Sequence, residues 1–228
     1  MLPETITHKL DNPIWYALNE THRELAVRFN GIRFYHPDYC PFGGYIQTEE
    51  ITKSMETYAA KSGDFFMAGD KPPLSPGLYI IQELVCLQMV IEQKIDTVIQ
   101  ENITPITPQY FDELYALVNL VQPGYFKTKT ALLGDYWGIF FEGRLIAAAG
   151  ERMQMNELVE VSAIVTHPDL SGRGYAKQLV AHTVNHIFIK GKLPFLHVLE
   201  SNMAAIRLYE KLGFTTRRKV SLWHIGKI

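Results

Sequence analysis

Cysteine is scarce in this sequence: Cys40 and Cys86 are the only two among 228 residues. They form no C-x-x-C pair, so the sequence indicates neither a disulfide framework nor a cysteine-based metal site. Cys40 lies in the loop Pro-Asp-Tyr-Cys-Pro-Phe, where no local pattern is typical of a catalytic nucleophile. We expect both thiols to be reduced and structural.

Positive and negative charges are nearly balanced, and long apolar runs are missing. The chain has 22 basic and 24 acidic residues and a formal charge of −2, so no overall field favours nucleic acid or an anionic membrane as a partner. No window approaches the length of a membrane span, and no basic segment at the N-terminus leads into an apolar run. We therefore predict a cytoplasmic protein without a nucleic-acid or membrane partner. Its hydrophobic residues, 47% of the total, can form one large or two small cores.

Three familiar ligand motifs are incomplete. A dinucleotide-binding fingerprint would need a further glycine at Lys177, and the Gly-Lys-Ser/Thr sequence of a P-loop does not occur. His182 and His186 stand four residues apart on one predicted helical face, without the glutamate of an H-E-x-x-H motif or an evident third ligand. A solvated helix face is the favoured interpretation, and we predict no metal.

The chain divides by its pattern into two α/β segments. The first, 1–100, is predicted to begin with a helical segment up to about residue 30 and to continue as strands. The clearest of these strands are 32–35, 64–68 and 78–91. The second segment, 101–228, follows the order β-α-β-β-β-α-β-α-β, which predicts a mixed sheet with helices on both faces. The predicted fold class is α/β with a mixed sheet, and one interpretation is that the first domain is a degenerate copy of the second.

The most informative stretch, 159–177, predicts a buried strand, a short turn and a glycine-rich entry into a helix. Gly172 and Gly174 allow backbone conformations barred to other residues and let a ligand approach the main chain closely. The helix directs free N–H groups at such a ligand, and Arg173 and Lys177 add positive charge. The pattern predicts a pyrophosphate-binding turn. The alternative is an ordinary strand-to-helix turn that uses glycine for its shape.

Two motifs in this region resemble those of a known family. Residues 160–176 read Glu-Val-Ser-Ala-Ile-Val-Thr-His-Pro-Asp-Leu-Ser-Gly-Arg-Gly-Tyr-Ala, and residues 201–214 read Ser-Asn-Met-Ala-Ala-Ile-Arg-Leu-Tyr-Glu-Lys-Leu-Gly-Phe. In this order and spacing they resemble the GNAT superfamily of N-acetyltransferases, and within it the glycine-N-acyltransferase-like branch. The resemblance covers roughly residues 102–228 and is weak over the first hundred. It implies the GNAT acyl-CoA N-acyltransferase fold and acetyl-CoA (coenzyme A) as the cofactor.

The resemblance also implies which residues bind the cofactor. The family's pyrophosphate pattern Gln/Arg-x-x-Gly-x-Gly/Ala falls on residues 171–176, where Ser171 departs from the usual Gln or Arg and predicts weaker anchoring. Residues 164–166 match the strand that pairs with the pantetheine arm, and a backbone N–H there would polarise the thioester carbonyl. Asn202 matches the family's asparagine contact to the same arm, although a helix cap explains it equally well. The implied cofactor contacts are Ile164, Val165, Thr166, Gly172, Arg173, Gly174, Tyr175, Ala176, Lys177 and Asn202.

Three residues are candidates for proton transfer. Tyr209 matches the family's tyrosine that protonates the departing thiolate, although a tyrosine near leucines is by itself more typical of a core. The acceptor amine must lose a proton, which requires a base that works near neutral pH. Glu160 lies at the spacing of the base in the histone-acetylating branch, or it is a solvated or salt-bridged strand carboxylate, for which Arg152 is a candidate partner. His197 lies where some relatives carry a base, or it is a packed histidine bonded to a backbone carbonyl; a water chain to a more distant base is the third alternative.

The sequence thus predicts an acetyl-CoA-dependent N-acetyltransferase in which a primary amine attacks the thioester directly in a ternary complex. The acceptor is predicted to be a small-molecule amine or an amino acid, and residues 35–45 and 122–130 are predicted to line its pocket. The alternative is a non-catalytic acyl-CoA-binding sensor or interaction protein. We expect a monomer or a homodimer, and one alternative is that the first domain serves dimerisation.

Overall fold

A single mixed sheet of eleven strands runs through the computed structural model, which describes residues 4–46 and 51–228. The strands are β1 (Ala26–Phe29), β2 (Ile32–Tyr35), β3 (Phe42–Tyr45), β4 (Phe65–Ala68), β5 (Leu78–Val90), β6 (Ile103–Pro105), β7 (Tyr136–Phe141), β8 (Arg144–Gln154), β9 (Leu158–Thr166), β10 (Leu193–Leu199) and β11 (Thr215–Lys227). The α-helices are α1 (Glu4–Thr7), α2 (Pro13–Asn19), α3 (Ile51–Ser62), α4 (Phe111–Val121), α5 (Tyr175–Ile189) and α6 (Met203–Lys211). The predicted α/β class with a mixed sheet is confirmed.

Strands of the two sequence halves alternate in the middle of the sheet. The order is β1-β2-β3-β4-β11-β5-β10-β9-β8-β7-β6, so the last strand of the chain lies between β4 and β5. β11 and β5 pair antiparallel along their length, from Thr215 opposite Val90 to Lys227 opposite Leu78. One sheet therefore crosses the boundary placed at residue 100 by the sequence. The division into two domains stays a prediction.

Apart from β6, the two halves of the chain contribute strands to the sheet in a similar order. The first half contributes β1-β2-β3, then α3, β4 and β5, and the second half contributes β7-β8-β9, then α5, β10 and β11. β3 pairs parallel with β4, and β9 pairs parallel with β10. β4 then pairs with β11, and β10 pairs with β5, so each half places its last strand against the other half. The interpretation of the first half as a degenerate copy of the second stays a prediction.

The first thirty residues are only partly helical, and residues 1–3 lie outside the described part. A helix does begin at Pro13, and the side chain of its cap Asn12 accepts a hydrogen bond from the Trp15 amide. The helical prediction is wrong at its end, because Ala26–Phe29 forms β1 and pairs with β2. Gly31, in the Asn-Gly turn that joins them, has a φ of +69°, the conformation such a hairpin requires. The preference of the Asn-Gly sequence for a hairpin turn therefore outweighs the helical pattern of the residues before it. Helix α3 was not among the elements that the sequence predicts.

Apolar layers on both faces of the sheet hold β9 and β10 in place. On one face Val180 and Val184 of α5 pack with Val159 and Val161 of β9, and all four side chains are almost fully buried. On the other face Val118 and its neighbours on α4 pack against β8 and β9. Burying each such side chain contributes roughly 1.5–3 kcal/mol. Within the described ranges, no helix has the length and apolar content needed to cross a membrane.

Candidate active site

The parallel strands β9 and β10 separate after a short paired segment. In the described chain they pair from Leu158 to Glu160 on β9, opposite Leu193 to Phe195 on β10. β9 carries a bulge at Ala163, which has a φ of +50° and lies where the register with β8 shifts. Because a bulge bends and twists its strand, it helps to direct β9 away from β10. The two strands leave a wedge-shaped opening in the sheet.

A cavity of about 540 Å³ lies at this opening. Ser162 and Ile164 of β9, His197 of β10, and Asn202 and Tyr209 at the two ends of α6 contribute to its wall. Much of the remaining wall is apolar or aromatic and includes Phe42, Leu84, Val118, Tyr125, Phe126 and Leu222. Both segments predicted to line an acceptor pocket, 35–45 and 122–130, therefore reach this cavity, the first through Phe42.

The glycine-rich turn lies just before α5. Gly172 and Gly174 have φ values of +79° and +80°, so a side chain at either position would strain the backbone although no atom within 4 Å would block it. Among the described residues, no carbonyl accepts a backbone hydrogen bond from the amides between Gly172 and Lys177. Arg173 and Lys177 are exposed beside these amides. Free donors, a helix N-terminus and two cations together fit a diphosphate group.

Asn202 and Tyr209 differ in how their polar atoms are used. Asn202 caps α6, since its Oδ1 accepts a hydrogen bond of 3.1 Å from the Ala205 amide, and no described residue accepts a hydrogen bond from its amino group. Tyr209 is 6% exposed, and no residue in the described ranges makes a hydrogen bond with its hydroxyl. Burial raises the pKa of the Tyr209 phenol well above its usual range. The Tyr209 hydroxyl therefore carries its proton near neutral pH.

Glu160 is enclosed by Arg152 and His197. Arg152 Nε and Nη2 donate to the two carboxylate oxygens at 2.7 and 2.8 Å, and His197 Nδ1 lies 2.8 Å from Oε1. Burial by itself would raise the pKa of Glu160, but the Arg152 guanidinium and the His197 ring outweigh it and lower the pKa to about 2. The pairing of Glu160 with Arg152 suggested by the sequence is confirmed. Because Glu160 is 1% exposed, a substrate has no direct access to its carboxylate.

Gln88 of β5 contacts the other nitrogen of the His197 ring. Gln88 Nε2 lies 3.1 Å from His197 Nε2 and donates to the Leu10 carbonyl at 2.7 Å, while its Oε1 accepts from Arg217 at 2.9 Å. Because the carbonyl can only accept and the guanidinium can only donate, these two partners fix which end of the amide faces the ring. His197 Nε2 is therefore the acceptor, and Nδ1 carries the proton donated to Glu160. A residue of the first half thus sets the tautomer of His197.

The structure brings part of the predicted site together. Ile164, His197, Asn202 and Tyr209 line one cavity. Where α5 begins, Gly172, Arg173, Gly174 and Lys177 are exposed, Ala176 is half-buried and Tyr175 is buried. Of the other implied strand residues, Val165 is buried in the core, and Thr166 pairs with Ala147.

Sequence reasoning missed Gln88 and gave Arg152 only a structural role. Arg152 lines the cavity, and Gln88 is fully buried beside it in contact with His197. Arg152 stands near other polar residues, Glu151 and Gln154, whereas Gln88 is the one polar residue of the apolar run 84–91. A polar residue in such a position is the available signal, because buried polar groups are nearly always hydrogen-bonded to something specific.

His186 meets two acidic residues near the end of α5. The ligand atoms of Asp135, Glu151 and His186 all lie within 4.8 Å of one another. The ammonium of Lys190 already contacts both carboxylates, at 2.6 Å from Asp135 and 2.8 Å from Glu151. The rings of His182 and His186 both lie against the Trp137 ring. The two acidic groups are therefore satisfied by an ion pair.

Comparisons with known proteins find a matching family model and similar folds. The family model described as FR47-like protein matches residues 136–224. A crystal structure of a GNAT-family acetyltransferase from Novosphingobium aromaticivorans is 31% identical, is aligned over 97% of this chain and 99% of its own, and has a TM-score of 0.90. A GCN5-related N-acetyltransferase from Kribbella flavida has a TM-score of 0.63 over 94% of this chain and 93% of its own; at 15% identity this shows similarity of fold alone.

A curated relative matches over a shorter stretch. The mycothiol acetyltransferase of Thermomonospora curvata is 37% identical over 86 residues, which are 36% of this chain and 29% of that protein. The match therefore spans less than a third of the relative's length.

Proposed function

The chain belongs to the GNAT family of acetyltransferases, as its sequence motifs predict, and on this premise we propose that it is an N-acetyltransferase acting on a primary amine. Its observed fold, a large mixed sheet with helices, matches GNAT acyltransferase structures. The observation that carries the proposal is one cavity, at the opening between β9 and β10, whose wall includes both His197 and Tyr209. It offers a group that can accept a proton and a group that can donate one. Closer membership of the glycine-N-acyltransferase-like branch is part of the proposal.

The cofactor-binding surface runs from the start of α5 into the opening of the sheet. The amides between Gly172 and Lys177 bind the pyrophosphate of acetyl-CoA, and Arg173 and Lys177 add positive charge. Residues 164–166 bind the pantetheine arm in the manner of an added strand, because in the described chain β10 no longer pairs with β9 at this level. The free amino group of Asn202 contacts the same arm.

Bound acetyl-CoA supplies an activated thioester carbonyl. His197 Nε2 takes a proton from the acceptor amine in place of its hydrogen bond with Gln88, and Glu160 stabilises the imidazolium that forms. The amine nitrogen attacks the carbonyl carbon, the carbon–sulfur bond breaks, and Tyr209 donates its hydroxyl proton to the departing thiolate. The second proton that the nitrogen loses as the amide forms restores the Tyr209 hydroxyl through solvent, and the His197 imidazolium releases its proton to solvent. A backbone N–H among residues 164–166 stabilises the charge on the carbonyl oxygen.

His197 is proposed as the base in preference to Glu160 because it lines the cavity, whereas Glu160 is bound on both carboxylate oxygens by Arg152. Direct transfer is proposed in preference to a covalent intermediate. The thiol in the cavity wall belongs to Cys86, and burial raises its pKa to about 11, so it is a poor nucleophile near neutral pH.

Thiol release from acetyl-CoA, measured with a panel of small primary amines, tests this proposal. Release that depends on an amine, with double-reciprocal plots that intersect when both substrates are varied, is the expected result for a ternary complex. Parallel plots would indicate a covalent intermediate. Binding of CoA by calorimetry without thiol release for any amine would instead support the non-catalytic sensor.

A further inference from the structure

Resting on this proposed function, we propose that the acceptor is an apolar or aromatic amino acid and that Arg152 binds its carboxylate. Arg152 lines the cavity together with aromatic and aliphatic side chains. Within the part of the chain that the structure describes, it is the one residue of the cavity wall whose side chain is always charged. It is therefore the group best able to select an acceptor by charge.

Arg152 has donor groups that the protein does not use. Nε and Nη2 each donate one hydrogen bond to Glu160, and no other residue in the described ranges accepts from Nη1 or from the outer N–H of Nη2. Among the described residues, the buried side-chain atoms without a partner are Arg33 Nε, Ser75 Oγ and Tyr136 Oη. Since Arg152 Nη1 is unpaired but is not one of these buried atoms, it touches open space. The space that the Arg152 side chain lines is the cavity.

The guanidinium is held in a fixed orientation. Its Cζ lies 4.7 Å from the centroid of the Phe42 ring, and its Glu160 edge is bound at two points. A planar fork fixed in this way binds a second carboxylate on its free edge with little further loss of side-chain freedom. The site is therefore preorganised for a carboxylate.

The charge of the cavity favours an amino acid over a simple amine. Glu160 already neutralises Arg152, and among the described residues the cavity wall contains no acidic side chain. An alkylammonium ion entering alone would lose its hydration without meeting an unpaired anion, which is costly. A zwitterion brings no net charge, and its carboxylate satisfies the free donors of Arg152.

His197 and Arg152 lie next to each other because they share Glu160 as a partner. His197 Nδ1 and Arg152 Nη2 both bind Oε1 of Glu160, each at 2.8 Å, so the proposed base and the proposed carboxylate receptor are neighbours. Phe42, Tyr125 and Phe126 provide an apolar surface in the same cavity. An apolar amino-acid side chain would be buried against these rings.

Matched acceptors test the inference. We expect kcat/KM with acetyl-CoA to be at least about 10-fold higher for L-phenylalanine than for phenethylamine, and higher for L-leucine than for 3-methylbutylamine, since each pair differs by the carboxylate. If no amine in either pair is acetylated, the proposed function fails for these acceptors. If the decarboxylated amines are acetylated equally well or better, the proposed function stands and the carboxylate inference is overturned.

Two arginine variants identify the residue responsible. Arg152→Lys keeps a cation next to Glu160 but removes the free edge of the fork, so the preference for phenylalanine over phenethylamine should fall to near 1. A loss of folding would lower both rates and leave their ratio unchanged. Arg144→Lys, on an exposed position of the same strand, is the matched control and should keep the wild-type ratio. A wild-type ratio in Arg152→Lys would contradict the assignment.

Discussion

His197 Nδ1 donates a hydrogen bond of 2.8 Å to Oε1 of Glu160 across two adjacent parallel strands. Glu160 is the last residue of β9 that pairs with β10, where it lies opposite Phe195, and His197 is two residues further along β10 on the same face of the sheet. The contact therefore lies at the point where the strands begin to separate. The contact links the segment where β9 and β10 are paired to the segment where they have separated. It also fixes the His197 ring at the edge of the cavity.

Replacing Tyr209 by phenylalanine tests the assignment of the proton donor. The variant keeps the ring and its packing in the core but removes the hydroxyl, so we expect kcat to fall by about 10²–10⁴-fold. The dissociation constant for CoA, measured by calorimetry, should change less than about 3-fold. A variant that keeps most of its turnover would show that another group or water protonates the thiolate.

Gly174→Ala tests the cofactor turn. At a φ of +80° a Cβ strains the backbone by about 1–2 kcal/mol, and relaxation of that strain would turn the free amides away from the phosphates. We expect the dissociation constant for CoA to rise at least about 10-fold.

Gly191→Ala is the matched control for this substitution. Gly191 follows the other end of α5 with a φ of +72°, and no atom lies within 4 Å of a Cβ placed there. Gly191→Ala should lower the free energy of unfolding about as much as Gly174→Ala does, without changing the affinity for CoA. Equal effects of the two variants on CoA affinity would mean that the turn does not bind the cofactor.

The Arg152–Glu160 pair should behave as a buried ion pair. Glu160→Gln leaves the guanidinium without its counter-charge, so we expect a loss of about 3–5 kcal/mol in the free energy of unfolding, or roughly 6–20 °C in Tm. The double variant Arg152→Met with Glu160→Gln should lose less than the sum of the single variants. Additive losses in such a cycle would show that the two side chains do not interact.

The same pair predicts a dependence of stability on acid. Because the fold lowers the pKa of Glu160 from 4.5 to about 2, its contribution is fully present above pH 4.5 and is lost as the pH falls toward 2. The difference in unfolding free energy between the wild type and Glu160→Gln should therefore shrink over this range. A constant difference, measured by denaturant titration at each pH, would argue against an ionised Glu160 in the fold.

Local signals in the sequence predict much of this protein, and long-range contacts account for the rest. The glycines at 172 and 174 predict their turn because the requirement for positive φ is local, and the strand, turn and helix around them follow in order. The place of β11 between β4 and β5 could not be predicted, because it depends on pairing between segments more than a hundred residues apart. For the same reason the contact of Gln88 with His197 was missed. Gln88 lies on β5 and His197 on β10, and these two strands become neighbours only in the assembled sheet.

Gln88 provides the sharpest test of His197 as the base. Gln88 presents an N–H to His197 Nε2, which keeps the lone pair of that nitrogen available for a proton. In Gln88→Glu an acceptor would face Nε2 instead, so the ring would hold a proton on each nitrogen between two carboxylates and could take none from the substrate. We expect kcat to fall at least about 100-fold in Gln88→Glu and only about 10-fold in Gln88→Leu, where the ring is no longer oriented but Nε2 can still accept a proton.

Long-range ¹H–¹⁵N spectra of the His197 ring provide the independent readout, since they distinguish the Nδ1–H form of the wild type from a doubly protonated ring. Gln82→Leu, at an exposed position of the same strand, is the control and should resemble the wild type in kcat and in its spectrum. If Gln88 had a purely structural role, the activity of each variant, Gln88→Glu and Gln88→Leu, would fall only in proportion to its own loss of stability. Wild-type kcat in Gln88→Glu, with a doubly protonated His197 in its spectrum, would rule out this histidine as the group that deprotonates the amine.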